Sequence, residues 1–138
     1  MMKARHILFN TSWDEFDMGV CKYEVKFFDQ FIPFILFQDH EPKPALTKKM
    51  IMAINNIMEF DESKQGLYFE EFGKNSDVKV SEIHIDQEHD VLDGVYSEII
   101  MDMPEGEYMS MIVKDGVIIH LDKDGTYLES LKAEKKEI

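Results

Sequence analysis

Gly19-Val20-Cys21-Lys22-Tyr23-Glu24-Val25-Lys26-Phe27-Phe28-Asp29-Gln30-Phe31-Ile32-Pro33-Phe34-Ile35-Leu36-Phe37 is the stretch that decides the class of fold. In its first half Cys21, Tyr23, Val25 and Phe27 alternate with Lys22, Glu24 and Lys26. A period of two puts the apolar set on one face of an extended chain and the charged set on the other, which is the pattern of a half-buried strand. Asp29-Gln30 is a two-residue polar break, and residues 31–37 then run apolar on both faces. The simple reading is a second strand hairpinned to the first. A strand apolar on both faces needs cover on both: a helix on one side, and further chain or a partner on the other. Pro33 brings no amide donor to a ladder, so it is expected at an edge or a bulge.

On the N-terminal side, residues 3–9 read as a short first strand. Residues 10–17, which hold the only tryptophan, Trp13, read as a polar loop. On the C-terminal side, Pro42 and Pro44 make residues 38–45 a loop, because the residue before a proline is disfavoured in helix. The clearest helix follows. Met50, Ile51, Ala53, Ile54, Ile57 and Met58 recur at helical spacing, with Thr47 as N-cap and Lys48, Lys49, Asn55 and Asn56 on the wet face. A weaker helix is expected over residues 61–72, with Leu67, Tyr68 and Phe72 inward and Gly73 at its end. Gly66 inside it costs about 1 kcal/mol against alanine.

Residues 80–85 read as a strand with Ile83 and Ile85 inward and His84 outward, and residues 87–94 as an acidic loop. Residues 96–103 alternate again, so that Glu98 and Asp102 share a face. Residues 104–106 turn the chain. The end reads as a meander: strands over 108–113 and 117–121 joined by Lys114-Asp115-Gly116, a turn at 122–125, a further strand over 126–131, and a charged, frayed tail over 132–138. The expected architecture is α+β. An antiparallel sheet of about five to seven strands, with an N-terminal hairpin and a C-terminal meander, packs against one or two central helices in a single domain, 1–138.

The 138 residues are enough for a sizeable core without disulfides or metal. Aromatic residues at 12% argue against disorder. No run approaches the ~18 apolar residues of a membrane span, and the first residues lack the apolar core and cleavage site of a signal peptide. The single cysteine, Cys21, excludes an internal disulfide and fits a reducing compartment, so a cytoplasmic protein is expected.

The net charge is −13, and it is not spread evenly. Residues 59–107 hold fifteen Asp or Glu and three Lys, a net of 15 − 3 = 12 negative charges. Residues 1–58 balance at seven and seven. Such a chain supplies too few cations to release counterions from nucleic acid or an anionic membrane, so neither is expected as a partner.

Candidate chemistry is sparse. Cys21 would need a base and an electropositive, partly open setting to act as a nucleophile, and its register points it inward with Tyr23 and Val25, as a core cysteine. His84, Asp86, Glu88, His89 and Asp90 form the densest set of possible zinc or manganese ligands, but their spacing matches no known ligand pattern, and a solvated acidic loop has the same composition. Asp122-Lys123-Asp124-Gly125 resembles part of a calcium loop. Setting Gly125 at the sixth position puts His120 first and Leu131 twelfth, where carboxylates belong, so a turn is the better reading. No phosphate-binding glycine loop or nucleophile elbow is present. Most methionines fall in periodic elements and read as core filling. No catalytic residue and no cofactor are expected.

The acidic stretch is the remaining candidate. It is either a solvated face or a surface that steers in a basic protein. On the second reading the partner-binding residues are Glu70, Glu71, Asp86, Glu88, Asp90, Asp93, Glu98, Asp102, Glu105 and Glu107, with Tyr96, Tyr108 or Trp13 as aromatic anchors. The strand pair 19–28 and 31–37, the helix 47–58 and the acidic segment 86–107 together resemble the small acidic immunity proteins of bacterial contact-dependent inhibition and related toxin systems. The resemblance is one of class and carries over no individual site residue. It implies a cytosolic, stoichiometric inhibitor that covers the active site of a basic toxin domain, such as a nuclease. The alternatives are an acidic secretion chaperone, which usually opens with a helix and dimerises, and a metal-dependent enzyme using residues 84–90.

Overall fold

The computed structural model describes residues 7, 10–15, 18–27, 30–38, 46–67, 70, 79–102 and 108–136. Among them are seven strands that form one open sheet in the order of the sequence. They are β1 (Thr11–Trp13), β2 (Met18–Phe27), β3 (Gln30–Phe37), β4 (Lys79–Asp86), β5 (Tyr96–Asp102), β6 (Ser110–Lys114) and β7 (Val117–Asp122). Two helices accompany them, α1 (Lys48–Met58) and α2 (Tyr127–Lys136). The fold is α+β.

The β2–β3 hairpin forms as its alternation requires, with Phe27 opposite Gln30 at the tip. Five of the six strand pairs are antiparallel. The exception lies in the middle, where β3 and β4 run parallel from Phe34–Ile83 to Phe37–Asp86. A parallel pair needs a long crossover, and the connection that contains α1 supplies it. Pro33 thus sits in an interior strand, not at an edge but at the bulge-like irregularity of the β2–β3 register between Val20 and Glu24, as the other half of the expectation had it. The ladder to β4 begins only at Phe34. Just below, the Val80 amide donates to the Gln30 side chain at 3.0 Å instead of to a strand.

The inner face of the sheet carries the main core. Ile32, Phe34 and Leu36 of β3, Ile83 and Ile85 of β4, Ile99 of β5 and Met111 of β6 are buried against Met50, Ala53, Ile54 and Ile57 of α1. Helix α1 begins as its sequence predicts, with the Thr47 hydroxyl accepting from the Met50 amide at 3.2 Å. Cys21 belongs to this core at 2% exposure.

The outer face is covered at one end by α2. Leu128 packs there with Leu92, Tyr96 and Ile112 in a second, smaller cluster. This helix replaces both the strand expected over residues 126–131 and the frayed tail expected from 132. Its cause is Asp122, buried at the end of β7. The Asp122 carboxylate accepts from the amides of Asp124 (3.2 Å), Gly125 (3.1 Å) and Tyr127 (3.2 Å). The Asp-x-Asp-Gly segment is therefore a turn that starts a helix, and Gly125 takes the left-handed conformation it needs, φ 73°.

Other expectations are also revised. Thr11–Trp13 is an edge strand, not loop, because it pairs with residues 19–21. Of residues 3–9 only Ile7 is described, and it is helical and buried. Residues 61–72 begin with a 3-10 turn, Glu62–Lys64, and Gly66, Leu67 and Glu70 are helical; the expected inward residues Tyr68 and Phe72 lie outside the described residues. So do residues 39–45 of the proline loop and the turn at 104–106. Residues 87–91 form a 3-10 turn within the expected loop.

Candidate protein-binding face

Strand register assembles the outer face from four strands. From β2 come Val20 and Glu24, which stand opposite Ile35 and Pro33 of β3. Ile35 is next to His84 of β4, and Phe37 next to Asp86. His84 is in turn opposite Glu98 of β5, Glu82 opposite Ile100, and Lys79 opposite Asp102. Alternation thus delivers Glu24, Glu82, Asp86, Glu98 and Asp102 to the same side of the sheet. Glu24 and Asp102 are exposed, and Glu82, Asp86 and Glu98 are half-buried. At the rim, Phe31 is 66% exposed and Val20 41%. Phe31 stands opposite Lys26 of β2, one pair beyond the Glu24–Pro33 and Val25–Ile32 pairs, so this apolar spot lies at the edge of the carboxylate patch.

The carboxylates are held in place. His84 Nε2 lies 2.6 Å from Glu82 Oε1, and the His84 ring meets Phe37 edge-on at 5.1 Å between centroids. Glu98 sits between two partners. Its Oε1 is 3.4 Å from Nε2 of the buried His89, and its Oε2 accepts from the Tyr108 hydroxyl at 3.4 Å. His89 Nδ1 finds no hydrogen-bond partner among the described residues. Burial, aided by the charges of Glu98 and Asp122, raises the Tyr108 phenol above its ordinary pKa. Asp86 caps the 3-10 turn by accepting from the Glu88 amide at 2.9 Å. Burial raises its carboxyl above the ordinary value, although that hydrogen bond and the charges of His89 and Lys132 pull the other way.

The expected binding residues divide into three groups. Asp86, Glu98 and Asp102 lie on this face. Glu88 and Asp93 instead tie α2 to the β4–β5 connection, through Lys132 at 3.5 Å and Lys135 at 3.2 Å. Burial alone would lower the pKa of Lys132, but Glu129, 2.7 Å away, and Glu88 hold it above the ordinary lysine value. Asp90 lies beside them, its carbonyl accepting from Lys49 Nζ at 3.1 Å, so that the start of α1 is anchored to the same turn. Glu70 is exposed in the helical segment that follows Gly66, and Glu71, Glu105 and Glu107 lie outside the described residues.

The anchors also change. Tyr96 is buried under α2, and Trp13 packs against the core; only Tyr108, 47% exposed, reaches solvent widely. The sequence reading missed Glu24, Glu82, Phe31 and Val20. The signal was available in the alternation of 20, 24 and 31, but the register that joins β2 to β5 across the parallel pair was not.

Among the described residues no three His, Cys, Asp or Glu side chains are grouped to hold a metal ion. The Asp122 carboxylate of the calcium-like segment is taken up by backbone amides. No helix among the described residues is long and apolar enough to cross a membrane. Compared with known proteins, the chain matches no family model, no curated protein and no solved structure.

Proposed function

We propose that this chain is a stoichiometric binding protein that takes a basic protein domain on the outer face of β2–β5 and neutralises it, as an immunity-type inhibitor neutralises a toxin. The observation that supports it is the collection of five carboxylates from three strands on one side of the sheet, with exposed Phe31 at the rim. Fixed charges in a field of one sign steer an oppositely charged partner and raise its association rate. An exposed aromatic anchor adds the desolvated contact that carries most binding energy at protein interfaces. The face suits occupation of a basic substrate cleft, with side-chain carboxylates standing where nucleic-acid phosphates would lie.

The test is capture of a basic domain at low salt, followed by growth of cells expressing that domain with and without this chain. The expected result is a one-to-one complex weakened by salt and protection from the domain's toxicity. Glu24→Lys, Glu82→Lys and Asp102→Lys together should abolish protection, and Phe31→Ala should weaken binding by about 1–2 kcal/mol. A complex and protection that survive the triple reversal would reject this face as the binding surface. Those three positions are preferable to Glu88 and Asp93, whose lysine partners belong to α2.

A further inference from the structure

The groove between α2 and the β4–β5 connection carries different chemistry. Leu92, Tyr96 and Leu131 line it as an apolar floor, and its volume is about 320 Å³. That lies at the lower end of the ~300–1,000 Å³ range of small-molecule sites. Lys114 crosses this floor, with Nζ 5.9 Å from the centroid of the Tyr96 ring. Its stem is seated by Gly94. A Cβ on residue 94 would come 2.7 Å from Lys114 Cε, and the backbone there has φ +103°. Glycine therefore makes the turn and also clears the path of the lysine.

Lys114 is a cation in a chain of net charge −13. No carboxylate pairs with it among the described residues, although Asp93 and Glu134 line the same groove. Asp93 bonds instead to Lys135 on the rim, at 3.2 Å. A cation held over an aromatic floor that two leucines also line matches a ligand that is apolar at one end and anionic at the other.

We propose that this groove binds a small aryl or branched-alkyl carboxylate, its apolar body on Leu92, Tyr96 and Leu131 and its carboxylate on Lys114. A bare inorganic anion would leave the floor unused, and a neutral apolar molecule would leave Lys114 unpaired. The site lies at the end of the outer face that α2 covers, and it does not depend on the reading given to the carboxylates of β2–β5.

The experiment is an NMR titration of the isotope-labelled full chain with phenylacetate and with 4-methylpentanoate. Phenylacetamide and phenethylamine serve as the neutral and cationic controls. The expected result is saturable shifts of the Leu92, Gly94, Lys114 and Leu131 signals, with phenylacetamide at least ~10-fold weaker because the charge-assisted bond is lost. Lys114→Gln should weaken the acid ~10-fold, and Glu134→Gln should tighten it by removing a like charge. Leu131→Ala, which leaves Lys114 intact, should also weaken it. The proposal is overturned if no acid saturates at concentrations up to about 10 mM. It is equally overturned if amide or amine binds as well as acid, if Lys114→Gln has no effect, or if the shifts map elsewhere.

Discussion

Asp86 is a carboxylate with two competing demands. It caps a turn, which favours the ionised form, and it is desolvated, which favours the neutral one; burial prevails and the carboxyl is raised above 3.8. The folded state therefore binds this proton more tightly than the unfolded state. Stability from this group is greatest below the ordinary carboxyl value and falls as pH rises from there through the raised value. Asp86→Asn keeps the capping oxygen and removes the titration. Urea unfolding should show the variant more stable than the parent at pH 7, with the gap closing by about pH 3.5.

A second residue-scale case is Gln65, which is fully buried. Its Oε1 accepts from the Ile118 amide at 2.8 Å, and its Nε2 donates to the Gly116 carbonyl at 3.2 Å. It thus satisfies part of the open edge of β7 as a neighbouring strand would. Gln65→Ala should cost about 1–3 kcal/mol in denaturant unfolding, the cost of leaving a buried amide unpaired.

At the scale of elements, α2 is the informative case. Its ion pairs are numerous, but the acidic partners of Lys132 are open to solvent, Glu88 at 74% and Glu129 at 70%. Such pairs contribute little, because each carboxylate rehydrates when the lysine is removed. Leu128, 4% exposed, has no such alternative. Leu128→Ala should therefore destabilise by about 2–4 kcal/mol, whereas Lys132→Met should cost less than about 1 kcal/mol. Thermal unfolding of both variants decides between packing and charge as the hold on this helix.

The same helix shows where the sequence was readable. Periods of two over β2, β4 and β5 and the helical spacing of α1 are local signals, strong because each element buries one face. The Asp115-Gly116 turn was equally plain, and both residues take positive φ, 51° and 85°. Residues 127–136 were not readable in that way. Their apolar positions Tyr127, Leu128 and Leu131 fit a short strand as well as one helical turn. What settles them as helix is Asp122, whose three bonds reach forward to residues 124, 125 and 127, a relation that composition does not announce. The binding face was legible only in part. The concentration of acid marked β4 and β5, but Glu24 and Phe31 join them through a β3–β4 register set by long-range pairing.

At the scale of the whole molecule, a net charge of −13 on 138 residues is a standing self-repulsion. Few described lysines oppose it on the outer face, so screening should relieve it. The melting temperature should rise between about 20 and 300 mM sodium chloride at pH 7, as the Debye length shrinks from roughly 20 to 6 Å. A melting temperature that falls over this range would mean that the paired carboxylates outweigh the unpaired ones.

The lone parallel pairing of β3 with β4 divides the chain into two consecutive portions. β1 to β3 are built from near neighbours in sequence, and so are β4 to β7, while a single strand pairing, covered by α1, is the seam that joins them. Along that seam Phe34, Leu36, Ile83 and Ile85 are almost wholly inaccessible to water. A chain severed between α1 and β4 would thus present two complementary edges, each with an apolar flank that water disfavours. Two such fragments, made separately and mixed, should find each other and restore the sheet, as the halves of a split reporter do.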